Sequence, residues 1–508
     1  MKVLNGIRAI AALSLLVGAA PPLVAQTDTL RSAHALSDSA RFGDAIALLR
    51  PYLLAHPTNG DAARLLSQLL YWMRDVQGAR AIADSSLALH PEDTTLRLQY
   101  ASMLIEIGDG ERAGVVLSPL LVSPDRGRAL GLLGTLAYWQ GDLSTARRLF
   151  AEALRLQADQ PEVRRQLGLI LDATAPLVGA EVAIMHDDQT ITSVNLSTEA
   201  AWYPTPLVRI GARTDPTYFA LGDSATRELT TAEMTLTEYV PAARLDLDLA
   251  AGVVQRSFGS STDWRGRAGL SLRLSSHVTA GVRGERAPYV STLSSLGTAV
   301  MTNNATGLVH LDSPAGWLAE ASIATQRFPD DNSVNSAFVW ILAPLVHRSD
   351  GTLQVGYSLA WQDAEESRFV LAHPVQPVPV TSNRFDLSGR YAPYYTPQSM
   401  TSHSVLTAAN IAVSSRATLR ANASVGVRAI EDATTFHASA PSAVVGVVTR
   451  RSFTPWNVGA GIDITGRSAF VVSSGARFTH TAFYTAASGV LALSYRIGLG
   501  ARRASVGL

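Results

Sequence analysis

The hydrophobic period of this chain changes once, near residue 176, and that change limits the folds open to it. Before it, apolar residues recur at helical spacing in units of about 34 residues. After it, apolar and polar residues alternate with period two, segment after segment, towards the C-terminus. The expected fold class is therefore an α+β multidomain chain, a helical array followed by a long run of antiparallel strands. Its 508 residues suffice for two or more domains. Formal net charge is zero, so nothing points to a nucleic-acid partner. The absence of cysteine excludes disulfides, thiol catalysis, cysteine-ligated zinc and a lipid anchor on an N-terminal cysteine.

Residues 1–25 read as a secretory signal. Lys2 and Arg8 precede a short apolar stretch from Ala9 to Ala20, and Leu23-Val24-Ala25 offers a cleavage site before Gln26. No later segment reaches the roughly 18 consecutive apolar residues of a membrane-spanning helix. A second encounter with a membrane would have to use strands.

In the helical half, residues 30–172, the clearest unit runs from Leu130 to Pro161. Small residues at Gly134, Ala146 and Ala153 allow two antiparallel helices to approach closely. Gly141 turns the chain, Phe150 fills the groove between the helices, and Pro161 cannot continue the second helix. Earlier units keep the phase through Ala45 and Pro57, Ala79 and Pro91, and Gly108-Asp109 with Ala113. This pattern resembles the tetratricopeptide repeat family. The resemblance implies a stacked solenoid whose concave surface binds a periplasmic protein, with no catalytic role.

In the strand half, residues 177–499, the polar face of many segments carries arginines and carboxylates while the other face carries Leu, Val and Ala. The segments run about 9 to 14 residues, the span of a tilted membrane strand rather than the roughly 5 to 6 of soluble sheets. Short turns near Pro204, Pro241, Ser275, Pro314 and Asp350-Gly351 separate longer loops at about 215–227, 286–301 and 362–381. These features predict a transmembrane antiparallel β-barrel of 16 or 18 strands with lipid outside and water inside. The higher count includes strands at 381–391 and 440–449. The final segment, up to Leu499, looks like a signal to the barrel assembly machinery, and residues 500–508 form a short tail.

The alternation assigns a set of side chains to the barrel interior. They are Arg265, Arg267, Arg273, Arg283, Arg416, Arg420, Arg428 and Arg496, with Asp246, Asp248, Glu285 and Glu320. Such a wall either stiffens the barrel through a charge network or holds a hydrated polymer through many weak contacts. No nucleophile elbow, phosphate loop, zinc signature or calcium loop is present, so neither an enzyme nor a cofactor is expected. The pairs His480 with Ser473 or Ser474, and His310 with Asp312, are the places where hydrolytic chemistry would be sought.

The run Tyr394-Tyr395-Thr396-Pro397-Gln398 is similar to a segment that starts a barrel strand in the cellulose synthase operon protein C family. Together with the signal, the repeats and the barrel, it makes the chain resemble the outer-membrane exopolysaccharide export proteins. That resemblance implies a porin-like conduit in the outer membrane of a Gram-negative-type bacterium, surrounded by outer-membrane lipid, with a polysaccharide chain in its lumen and the repeats in the periplasm. The repeat array here is shorter than in those exporters. A second reading therefore stands beside the first: a non-transporting anchor whose repeats recruit periplasmic envelope or assembly proteins.

Overall fold

The computed structural model of the protein describes residues 23–499 apart from 223–224, 260–261, 314, 349, 373–385, 441–442 and 467–468. Most of the expected signal segment and the 500–508 tail lie outside the described residues. The chain divides into two compact units that meet in sequence at Leu133 and Gly134.

The first unit is built of helices: α1 (Leu23–Asp38), α2 (Phe42–Ala55), α3 (Gly60–Trp72), α4 (Val76–Leu89), α5 (Thr94–Glu106) and α6 (Gly110–Leu117). α7 (Arg126–Trp139) crosses the boundary, and α8 (Leu143–Leu156) and α9 (Pro161–Ala173) belong to the second unit. α3 and α5 begin 34 positions apart, at Gly60 and Thr94. Ala45, Ala79, Ala113 and Ala146, at matching places in successive pairs, are fully buried. Within the second unit, a Cβ on Gly134 would come 2.6 Å from the Phe150 ring, so glycine is what lets α7 and α8 close. These are tetratricopeptide-type helix pairs.

Polar residues define the ends of the helices. Asn59, Asp75, Asp93, Asp109 and Asp142 each accept a hydrogen bond from a backbone N–H three residues on. Within the first unit, Arg64 pairs with Asp93 and Arg80 with Asp109, both at 2.5 Å, so capping carboxylates also tie one pair to the next. The turn inside each pair needs one residue in the left-handed region. Gly108 (φ 82°) and Gly141 (φ 81°) supply it freely, whereas Ala40 (φ 56°) and Arg74 (φ 66°) hold the same conformation with a Cβ.

The strands are β1 (Leu177–Asp187), β2 (Ile191–Thr205), β3 (Val208–Leu221), β4 (Thr226–Val240), β5 (Leu245–Arg256), β6 (Thr262–Arg273) and β7 (Val278–Pro288). They continue as β8 (Met301–Asp312), β9 (Leu318–Arg327), β10 (Ser333–Arg348) and β11 (Gly351–Ala364). Three short strands follow, β12 (Phe369–Leu371), β13 (Asp386–Leu387) and β14 (Gly389–Tyr391). The series ends with β15 (Met400–Ser414), β16 (Ala417–Ala440), β17 (Ala443–Phe453), β18 (Trp456–Thr465), β19 (Phe470–His480) and β20 (Thr485–Arg496).

Sequential antiparallel pairing, with β11 joined to β15 and β20 returning to β1, closes a 16-strand barrel. The two extra strands of the higher expected count are not staves. Of the strand expected at 381–391, residues 381–385 lie outside the described residues, and 386–391 form only the short β13, paired with the upper part of β16, and β14. β17 pairs with the upper part of β16 from Ala429, while β18 pairs with its lower part up to Val425. β17 and β18 are one descending path broken at Pro455, and the β16–β17 hairpin stands beyond the ring. Most of the expected loop at 215–227 belongs instead to strands: β3 runs to Leu221 and β4 begins at Thr226, with Pro216 inside β3 opposite Thr230.

Facing follows from burial and register. The outward positions of the staves carry Val182, Leu196, Met234, Leu249, Leu270, Val309 and Ile323, all exposed. Trp202, Trp317 and Phe470 lie near the end where the chain enters the barrel; Tyr218, Trp264, Trp361 and Phe478 lie near the far end. An apolar belt between two aromatic rings is the outer surface of an outer-membrane-type barrel.

The left-handed turns give the first prediction. Arg74→Gly and Ala40→Gly should each stabilise the helical signal by roughly 1 kcal/mol through relief of αL strain. Gly108→Ala should lower it by a similar amount. Thermal circular dichroism of the purified protein decides; equal melting of all three variants would show that these turns are not strained.

Candidate functional site

The inner wall between β2 and β7 is charged and internally paired. Arg213 meets Asp215 at 2.7 Å, Arg267 meets Asp248 at 2.5 Å and Arg273 meets Asp246 at 3.1 Å. Arg265 lies between two carboxylates, Glu233 at 3.2 Å and Glu285 at 3.9 Å. Arg209 and Glu199 are 3.7 Å apart. Glu199, Arg209, Arg213, Asp215, Glu233 and Arg265 border a recess of about 590 Å³ on the inner face. Further round, His310 lies 3.5 Å from Glu320, and Arg420 meets Asp463 at 2.7 Å. Arg283 stands opposite Gly269 and Thr306 on the inward register, and Arg496 opposite Leu177 at the entry end.

Two residues assigned to the interior lie elsewhere. Arg416 occupies the turn between β15 and β16, where its backbone N–H donates to Ser414 Oγ at 3.2 Å. Arg428 stands opposite His403, on the outward face. The cause is a bulge: Ser404 pairs with Gly426 but its neighbour His403 pairs with Arg428, so one extra residue inverts the alternation above it. Beyond the bulge, the inward set is Ala429, Glu431 and Ala433, all buried.

At the entry end, the turn between α7 and α8 meets the barrel. Tyr239 donates its hydroxyl proton to the Gln140 carbonyl at 2.7 Å. The Arg273 guanidinium lies 4.1 Å above the Tyr239 ring. Gly141 fits against both, for a Cβ there would fall 2.7 Å from Arg273 Nη1. The α7–α8 turn is thus seated on the rim of the entry mouth.

The far mouth carries two loops: residues 289–300, between β7 and β8, and the described residues 365–372 and 386–399, between β11 and β15. The first packs Leu296, fully buried, against Ile191, Phe219, Leu229 and Val254 from the inner faces of β2 to β5. The second packs Tyr394, 1% exposed, flat on Phe328 with ring centroids 3.5 Å apart. Tyr289, at the start of the first loop, presents its edge to Tyr394. Thr292 donates to the Pro393 carbonyl, and the Tyr395 N–H donates to the Tyr289 hydroxyl at 3.1 Å. The two loops therefore hold each other as well as the rim.

The Tyr394 to Gln398 run, expected to begin a strand, is the centre of this cap. Tyr394 donates to both oxygens of Asp330 at 2.6 and 2.7 Å, and Arg368 pairs with Asp330 at 2.7 Å. Tyr395 donates to Glu431 at 3.0 Å; Glu431 also accepts from Arg451 Nε at 2.6 Å. The Tyr395 ring stacks on Phe483 at 4.0 Å. Ala364 donates its N–H to the Pro397 carbonyl, and Gln398 donates to the Ala364 carbonyl at 3.1 Å. The cap thus ties β9, β11, β16, β17 and the β19–β20 turn to β2–β5.

Its electrostatics follow from burial and partners. Burial, then the bond to Asp330, raises the Tyr394 phenol to about 12. Burial pushes the Asp330 carboxyl up, but the Tyr394 and Arg368 hydrogen bonds outweigh it and hold the group below the usual carboxylate range. Burial and the Glu431 charge drive Tyr395 upward.

Sequence reasoning missed the partners of the tyrosines, Asp330, Arg368, Glu431 and Arg451, because each lies on a different element and no spacing links them. The serine and histidine candidates for hydrolysis are not assembled: Ser473 donates to Asp463 at 2.7 Å, whereas His480 Nδ1 contacts Thr485 Oγ1 at 2.8 Å.

No protein-family profile matches the chain, and no curated protein matches it. Among solved structures, it is similar to a bacterial polysaccharide outer membrane secretin (TM-score 0.45, 12% identity), over 64% of this chain and 99% of that one. CdiB from Acinetobacter baumannii is similar over 63% of this chain and 60% of that one (TM-score 0.36, 11% identity). Pseudomonas aeruginosa PilF is similar over 29% and 68% (TM-score 0.27, 21% identity).

The cap yields a pH prediction. Asp330 is depressed, so its contribution is complete above the unfolded value of about 3.9 and is lost as pH falls through the lower folded value. Tyr394 is raised, so its contribution is complete below the unfolded value of about 10 and is lost as pH rises through about 12. Hydrogen exchange in residues 386–399 should be slowest between about pH 4 and 10 after correction for intrinsic rates. Tyr394→Phe should speed it within that window and flatten the alkaline limb; an unchanged profile would exclude this tie.

Proposed function

We propose that the barrel is a gated outer-membrane conduit for exopolysaccharide export and that the helix pairs form its periplasmic scaffold. The observation carrying this reading is the polarity of the closed barrel: a charged, hydrogen-bonding inner wall and an apolar outer belt. Sixteen strands are enough to enclose an aqueous channel. The paired arginines and carboxylates give a hydrated polymer many weak contacts and no single tight site, as conduction requires. The sequence resemblance at Tyr394 to Gln398 supports the same reading.

The mouth where the α7–α8 turn meets Tyr239 would be the periplasmic one, and the helix pairs would receive either the polymer or a periplasmic protein. The loops at the opposite mouth would be the gate. Most of their ties to the rim are side-chain contacts, with a few backbone bonds such as Ala364 N–H to the Pro397 carbonyl, so they can part without unfolding a stave. Export through such a barrel needs no enzyme and no cofactor, and the chain is proposed to be neither catalytic nor cofactor-bound. The mutual bracing of the two loops is the observation that favours the second reading, a closed anchor whose repeats recruit envelope or assembly proteins.

Planar-bilayer recording of the full chain separates the two. The wild type should show a low conductance with rare openings. Tyr394→Phe combined with Tyr395→Phe should raise the open probability about tenfold or more, because about 1.5–3 kcal/mol of charge-assisted hydrogen bonding is removed at each tie. A double variant that retains the heat-modifiable gel mobility of a folded barrel and stays silent would leave the anchor as the function.

A further inference from the structure

We infer that Phe338 and Trp340 form a stacking site for an uncharged glycan on the lumen wall; this rests on the conduit reading and names its substrate class. Both lie on the inward register of β10. Trp340 stands opposite Glu320, and Phe338 opposite Ser322 and Ala360. Adjacent inward positions on a strand are about 6.6 to 6.8 Å apart, so the two rings form one short platform.

Aromatic rings on a water-facing wall need an explanation, since burying them elsewhere would be favourable. Phe338 is 38% exposed and has no ring partner among the described residues. Trp340 meets only the His310 ring, with centroids 6.2 Å apart, and that imidazole lies 3.5 Å from Glu320. The site therefore offers open ring faces beside a hydrogen-bonding pair. A pyranose has the matching chemistry, an apolar C–H face and a rim of hydroxyls.

The surrounding charge pattern selects among glycans. The inward positions of β10 from Val334 to Leu342, of β11 from Gln354 to Ala364 and of β15 from Met400 to Asn410 carry no Asp, Glu, Lys, Arg or His. The charges on β2 to β6 are engaged with each other, as Arg267 with Asp248 and Arg265 with Glu233 show. A polyanion would need an excess of free cations along its path. This wall presents a neutral, aromatic sector facing a balanced one, with the inward Arg283 and Arg496 on β7 and β20 outside both, too few for a path of free cations, which fits a polymer without charged groups.

The test is equilibrium dialysis of the detergent-solubilised full chain against cellohexaose and, separately, against a galacturonic acid hexamer. Dialysis reads binding whether or not the cap is open, so it is independent of the conductance experiment. The wild type should bind cellohexaose, with affinity about tenfold weaker in Phe338→Ala and in Trp340→Ala, a change of about 1.4 kcal/mol. Val339→Ala, the outward neighbour, should bind as the wild type does. Phe338→Leu keeps the volume where truncation disturbs folding, and should show the same loss because it removes the ring. Equal cellohexaose affinity in all folded variants would overturn the site. Preference for the uronate hexamer would overturn the neutral class. Binding of neither sugar by the wild type would overturn the inference, leaving the conduit to the conductance result alone.

Discussion

The pairing of β20 with β1 is the constraint on which the rest of the barrel depends. An open sheet exposes a row of unpaired N–H and C=O groups at each edge, and in hydrocarbon each unpaired group costs several kcal/mol. Eleven aligned residue pairs from Leu177–Arg496 to Asp187–Ala486 remove both edges at once. Closure also gives the sheet an inside. Only then does the alternation along each strand acquire two environments, and the position opposite Leu177 or Glu181 becomes a position on the lumen wall. The polarity of the wall, the seating of the α7–α8 turn on the entry rim and the cap on the far mouth all presuppose that ring.

The legibility of the chain follows from the same alternation. Where one face is polar and the other apolar, as in β5 with Asp246 and Asp248 against Leu245, Leu247 and Leu249, facing can be read from sequence alone. It fails where a local irregularity shifts the count. The extra residue near Val427 turns Arg428 outward, and nothing in the surrounding run marks a bulge. It fails differently in β10, where Phe338, Trp340 and Leu342 face inward while Val339 and Ile341 face outward. Both faces are apolar there, so period two leaves no trace. The surplus strands have a third cause. Residues 443–453 have strand composition and do form a strand, but Pro455 separates it from β18 and it extends β16 beyond the ring. The repeats were easier, because small residues at fixed spacing, such as Ala79 and Ala113, have one packing role.

The Tyr394 run shows how a local motif can be visible while its purpose is not. Two adjacent tyrosines ahead of a strand suggest a ring of interfacial aromatics. In the fold, Tyr394 is nearly inaccessible, and its neighbour points into a separate set of contacts. Tyr394 therefore serves the Asp330–Arg368 pair and Tyr395 the Glu431–Arg451 pair, and one short segment secures two parts of the rim. The bulge at residue 427 matters here as well. It moves Glu431 onto the inward face, where the Tyr395 hydroxyl can reach it; without that shift the carboxylate would point outward and the second tie would have no acceptor.

The barrel is therefore assembled from ties of unequal persistence. The staves are joined by backbone ladders that cannot open singly in lipid, because each lost bond exposes polar groups to hydrocarbon. The cap is joined mainly by side-chain hydrogen bonds and ring contacts, with a few backbone bonds, at an end where water can replace them, so each net contribution is modest. A perturbation applied to the whole molecule reaches the cap first. The charged wall lies on the permanent side of that division, with pairs such as Arg267–Asp248 and Arg273–Asp246 formed across adjacent staves. Movement of the loops would therefore change access to the lumen while leaving the wall's electrostatics in place, which is the separation of gate from filter that the proposed conduit needs.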